Sequence, residues 1–161
     1  MRYNRTMIEQ NETTPTHTLS QQDLDILQLK AMGLTLREMG MRLGFNTKAL
    51  HCMYEKILAE NNFVTDLHAI LFAITTGALS TDDVVNENAI NYIPQLTSTK
   101  HRIMEAFTSN LGRETSPDQL SSNTGLSHFT VKNYFIQITA ELGVPKRIAA
   151  GVQYYIWQTR Q

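Results

Sequence analysis

Apolar residues recur at three- and four-residue spacing along most of the chain, and no long alternating run bounded by turn dipeptides interrupts them. This pattern predicts an all-α protein. Ser20 precedes "QQDLDILQLKAM", in which Leu24, Leu27 and Ala31 form one stripe and two aspartates stand early, where the helix dipole favours them. Gly33 ends that helix. Thr35 then caps "LREMGMRL", with Glu38 three residues later completing a capping box and Gly44 as the stop. Asn46 caps a third helix that runs to about Asn61, and Thr65 or Asp66 opens a fourth that Gly77 closes.

The same order of elements then returns. Leu96-Thr97 matches Leu19-Ser20 at an offset of 77 residues, and Ser116, Gly125, Ser127 and Leu142 match Thr35, Gly44, Asn46 and Asn61 at an offset of 81. The second copy therefore carries four extra residues, within "NLGRETSP", where a loop tolerates them. The expected organisation is a mobile polar tail over 1–17, a first four-helix unit over 18–79, a connector over 80–95 and a second unit over 96–161. Ser80 and Asp83 are the candidate caps of a short helix in the connector, reaching to Ile93.

Charge separates the two units. The whole chain of 161 residues is 42% hydrophobic and 18% charged, with a formal net charge of −1. Residues 80–95 carry −3, whereas residues 96–161 carry +3, so any attraction to an anionic partner sits in the second unit. One cysteine, Cys52, cannot form an intramolecular disulfide or a cysteine-based zinc site, and the five histidines are too scattered for a metal site. His51 and Cys52 are neighbours whose side chains leave a helix about 100° apart, so they make no catalytic dyad. With no phosphate loop or paired carboxylates, neither an enzyme, a cofactor nor a metal is expected. Absence of a signal-like or membrane-length apolar segment leads to an expected cytoplasmic location.

The third helix of the second unit holds the candidate chemistry. At 100° per residue, Val131, Phe135, Ile138 and Leu142 share an inward face, leaving Phe129, Asn133 and Ile136 opposite, with Thr130 and Lys132 on the flanks. A helix entering the major groove needs short polar side chains near its N-terminal end for base edges and a cation for guanine or phosphate. Ser127, His128, Thr130, Lys132 and Asn133 form such a set, and Lys146 and Arg147 follow where phosphates could lie. The corresponding outward positions of the first unit are Lys48, His51, Cys52 and Glu55. Lys48 and His51 are its candidate contacts, while the Glu55 carboxylate opposes a phosphate-lined groove.

Two stretches carry a family likeness. "LSQQDLDILQLKAMGLTLREMGMRLGFNTKAL" resembles the opening of the LuxR-type helix-turn-helix of bacterial transcriptional regulators, with its Leu-Ser start, Gly-x-Thr turn and Arg-Glu-Met group. "GLSHFTVKNYFIQITAELGVPKRIAAGVQYYIW" is similar to that family's Ser-x-x-Thr-Val-Lys recognition helix, its Leu-Gly-Val close and its final helix. The resemblance implies double-stranded DNA as partner, with Lys132, Asn133 and the position of Ile136 against bases. It also implies that the last helix pairs units. Val152, Tyr154, Tyr155 and Trp157 are then candidate interface residues, joining either the two copies of one chain or two chains of a homodimer. Two functions are expected in turn: a regulator reading DNA chiefly through the second unit, or an antiactivator or adaptor that holds another regulator on the same scaffold.

Overall fold

The computed structural model describes residues 18–161, so the expected tail over 1–17 lies outside the described residues. All regular structure among them is helical: α1 (Gln21–Ala31), α2 (Leu36–Leu43), α3 (Thr47–Glu60), α4 (Asp66–Thr75), α5 (Glu87–Tyr92), α6 (Ser98–Gly112), α7 (Pro117–Thr124), α8 (His128–Leu142) and α9 (Arg147–Thr159). Local chemistry sets the boundaries. Ser20, Thr35, Asn46, Thr65, Thr97, Ser116 and Ser127 each turn a side-chain oxygen onto a free amide of the first turn that follows. Capping boxes close at Ser20 with Asp23, Thr35 with Glu38 and Ser116 with Gln119. All seven caps stand at positions that the sequence marks.

The inward faces also follow the apolar stripes. Val131, Phe135, Ile138 and Leu142 of α8 are buried, as are Leu50, Tyr54 and Ile57 of α3. Asn61, which replaces the leucine found at the matching point of the second unit, is buried too and donates its side-chain amide to the Ile57 carbonyl at 2.9 Å. That bond satisfies one of the donors of the buried amide and so offsets part of its desolvation.

The buried residues form one continuous cluster, because the two halves meet reciprocally. α4 packs along α9, α1 also touches α9, and α6 touches α4. Gly33, just after α1, lies so close to the start of α9 that a Cβ there would stand 2.6 Å from Pro145 Cγ. Gly112, at the end of α6, lies as close to the start of α4, with a notional Cβ 2.6 Å from Leu67 Cγ. Both glycines have positive φ, +82° and +70°, so conformation and space each exclude a side chain. Polar contacts repeat the exchange. Thr65, the residue before α4, donates its hydroxyl to the Gly112 carbonyl at 2.5 Å, while Lys146, before α9 and 81 residues later, donates to the Leu34 carbonyl at 3.3 Å. Equivalent positions thus tie each last helix to the first turn of the other half.

The connections carry local structure. Within the stretch that holds the four extra residues, Asn110, Leu111 and Gly112 take successive left-handed conformations, at φ 48°, 52° and 70°, that carry the Gly112 carbonyl to Thr65. The connector is ordered as a 3₁₀ turn (Thr81–Asp83), α5 and a second 3₁₀ turn (Ile93–Gln95). Ser80 caps the first turn as expected, but Asn86 rather than Asp83 caps α5. Gln153, buried in α9, fastens the connector at both ends of its amide: it accepts from the Asn86 N–H at 2.7 Å and donates to the Val84 carbonyl at 2.8 Å. Arg160 adds an exposed fork to both carboxylate oxygens of Glu87 at 3.2 Å.

Candidate nucleic-acid interface

α7 and α8 are joined by a tight turn whose Gly125 sits in the left-handed region at φ 69°. Ser127 then starts α8, its Oγ 3.1 Å from the Thr130 N–H and 2.8 Å from the Thr130 hydroxyl. Those bonds fix the N-terminal turn of α8 and leave Ser127, His128 and Lys132 exposed along it, with Thr130 and Asn133 half-buried. His128 Nδ1 lies 3.8 Å from an Asp118 carboxylate oxygen at the start of α7. Five of the predicted residues are therefore brought together on one end of one helix.

The outward face beyond that end is apolar. Phe129 is 73% and Ile136 61% exposed, the largest such exposure on α8. Between α7, α8 and the start of α9 runs a groove of about 470 Å³. Its floor is Leu120, Val131 and Phe135, and Ile136 and Pro145 stand at its walls, with Lys132, Lys146 and Arg147 around it. The sequence singled out α8 and Lys146-Arg147 but not Pro117, Leu120 or Pro145 as their neighbours, since no periodicity within α8 says which loop folds back beside it.

Lys146 and Arg147 differ in freedom. Arg147 is exposed at the first turn of α9, with its guanidinium carbon 6.0 Å from the centre of the Phe107 ring. Lys146 is half-buried and committed to the Leu34 carbonyl, and its charge adds a little to the Thr35 hydrogen bonds that hold the neighbouring Glu38 carboxyl below its ordinary range. Of the two residues expected where phosphates could lie, Lys146 is thus tied to the joint between the halves, whereas Arg147 is exposed.

On the first half, Lys48, His51, Cys52 and Glu55 are all exposed on α3, as their spacing predicts. His51 Nδ1 stands 3.7 Å from a Glu55 carboxylate oxygen, so this candidate contact is accompanied by an acid on the same face. α3 lies apart from Lys132 and Arg147 in sequence and in its packing partners, which are α1 and α2.

The candidate interface on α9 is corrected as a surface. Val152 and Tyr154 are fully buried, Tyr155 bonds the Thr75 hydroxyl of α4 at 2.8 Å, and Trp157 packs against His101 and Tyr154 with ring centres 5.5 and 5.4 Å away. The two-stripe pattern of α9 arises because α4 and α6 cover different sides of it. α9 therefore packs against α4 of the same chain.

Comparison with protein-family models, with curated proteins and with solved structures gives no match. No helix among the described residues is long and apolar enough to cross a membrane.

Proposed function

We propose that the protein is a DNA-binding transcriptional regulator that reads DNA mainly through α8, with its two halves acting as an intramolecular pseudo-dimer. The observation that carries this reading is the α7–turn–α8 geometry, which fixes a hydroxyl, an imidazole, a carboxamide and a free ammonium group on one exposed helix end. Such a set can reach base edges in a major groove, and Arg147 lies close by for a phosphate. Because α3 and α8 present different residues, the preferred site is asymmetric and one chain occupies it.

Titration of the full chain with selected duplexes over a range of salt concentrations tests the reading. Affinity falls as salt rises, because phosphate contacts release counterions, and Lys132→Ala weakens binding to a specific site by roughly tenfold. A folded, homogeneous sample that binds no duplex at low salt overturns it.

A second reading draws support from Phe129 and Ile136. Large apolar side chains this exposed suit a protein partner better than a phosphate-lined groove, and the scaffold then acts as an antiactivator or adaptor. Binding to a protein without any affinity for DNA is the outcome that selects it.

A further inference from the structure

We infer that the groove between α7, α8 and the start of α9 is a docking site for an acidic amphipathic helix of a partner protein. The proposal extends the second reading by giving the partner a chemistry, and it stands whether or not α8 also meets DNA. The groove is apolar at its base, where Leu120, Val131 and Phe135 meet, and its walls at Ile136 and Pro145 open to solvent. A phosphate backbone gains nothing from such a floor, whereas leucine- or phenylalanine-sized side chains at i, i+3 or i+4, and i+7 of one helix face would fill it.

Charge around the groove selects among helices. Lys132 on one side and Arg147 on the other are exposed, and neither forms an ion pair with a described residue. Lys146 adds a third cation that is already held by the Leu34 carbonyl and has the Glu38 carboxylate as a neighbour, and the Asp118 carboxylate at the start of α7 faces His128. A helix carrying aspartate or glutamate beside its apolar stripe would therefore meet two free cations, and a basic helix would be repelled. Its footprint includes Lys132 and Ile136, so an occupied groove hides the outward end of α8. The partner would act as a cover that competes with any duplex for the same helix.

Selection from a displayed library of random helix-forming peptides, each about 16 residues or four turns long, against the full chain in the absence of DNA tests this. Enriched peptides are expected to combine an apolar i, i+3 or i+4, i+7 stripe with flanking acids. A labelled enriched peptide loses roughly tenfold in affinity on Ile136→Glu, and a similar factor on the Lys132→Glu, Arg147→Glu pair, while the thermal transition stays in place. Ile136→Ser serves as a milder probe of the same wall should the glutamate disturb folding. The proposal is overturned by a lack of enrichment, by enrichment of basic peptides, or by an acidic peptide whose affinity survives the wall variants. Retention of a duplex alone, with no peptide enriched, also overturns it and leaves the DNA reading standing.

Discussion

Tyr54 and Tyr154 are both buried, yet their hydroxyls have different surroundings. The Tyr154 hydroxyl lies 2.9 Å from His101 Nδ1, whereas that of Tyr54 has no hydrogen-bond partner among the described residues. Burial, foremost, pushes both phenols above their ordinary range, with the Asp66 carboxylate adding to the effect at Tyr54 and Glu105 at Tyr154. Removing a bonded hydroxyl forfeits the bond and strands its partner, whereas removing an unpaired buried hydroxyl relieves its desolvation, so the two phenylalanine replacements should diverge. Tyr154→Phe lowers stability by about 1–2 kcal/mol, while Tyr54→Phe changes it by less than about 0.5 kcal/mol or raises it, as urea denaturation would measure.

Glu38 gives the residue scale a pH signature. Hydrogen bonds from the Thr35 backbone and hydroxyl hold its carboxyl below the ordinary value of 4.5, with Lys146 and Arg42 contributing less. The folded pKa lies beneath the unfolded one, so this stabilisation is complete above the ordinary value and fades as pH falls through the folded one. Glu38→Gln should therefore be less stable than the parent at pH 7, and the gap should close on acidification below about pH 4. A gap that stays constant with pH would show that the carboxylate charge plays no part.

Among the elements, the connector is the least legible in sequence and the most dependent on one side chain. A cap is a local event, so serine or threonine before an apolar stripe suffices to place it, and the seven caps follow. Gln153 gives no such signal, since nothing in "AAGVQYYIW" says that a glutamine inside a helix will face a backbone 67 residues earlier. Tyr154 is illegible for a related reason: a stripe says which face is buried when one side is covered, and α9 is covered on several. Gln153→Ala should leave the Asn86 amide and Val84 carbonyl unpaired inside the protein and cost roughly 2–5 kcal/mol. Hydrogen exchange at the Asn86 amide should be slow in the parent and accelerate to the rate of an open segment in the variant, and equal rates in the two would refute the clamp.

At the scale of the molecule, the deciding fact is that the halves share a core. Leu67, Ile70 and Leu71 of α4 and Val152 and Ile156 of α9 are all essentially buried, each worth about 1.5–3 kcal/mol. Together these rival the entire stability of an ordinary domain, so neither half should stay folded without the other. Calorimetry should find one transition with matching calorimetric and van't Hoff enthalpies, and two separated transitions would contradict this. Gly33→Ala, which forces a Cβ into Pro145 at a left-handed position, should lower that single transition by roughly 2–4 kcal/mol although its own helix α1 is unaltered. The matching caps and glycines are readable in the sequence, but the joint is not: it depends on close approach between residues 47 and 112 positions apart.

The reciprocal ties at Thr65 and Lys146 have a further consequence. In a dimer of identical chains, every substitution falls on both sides of the symmetry axis at once, so a change that helps one surface must be tolerated by its twin. Here the equivalent positions are separate codons. A threonine hydroxyl holds one side and a lysine ammonium the other, and on the outward helices Glu55 stands where its counterpart is Ile136, and His51 where its counterpart is Lys132. Because the two halves lie in one polypeptide, a substitution on one outward helix leaves the matching position of the other unchanged, and the mixed-charge face of α3 and the cationic-apolar face of α8 can be altered independently.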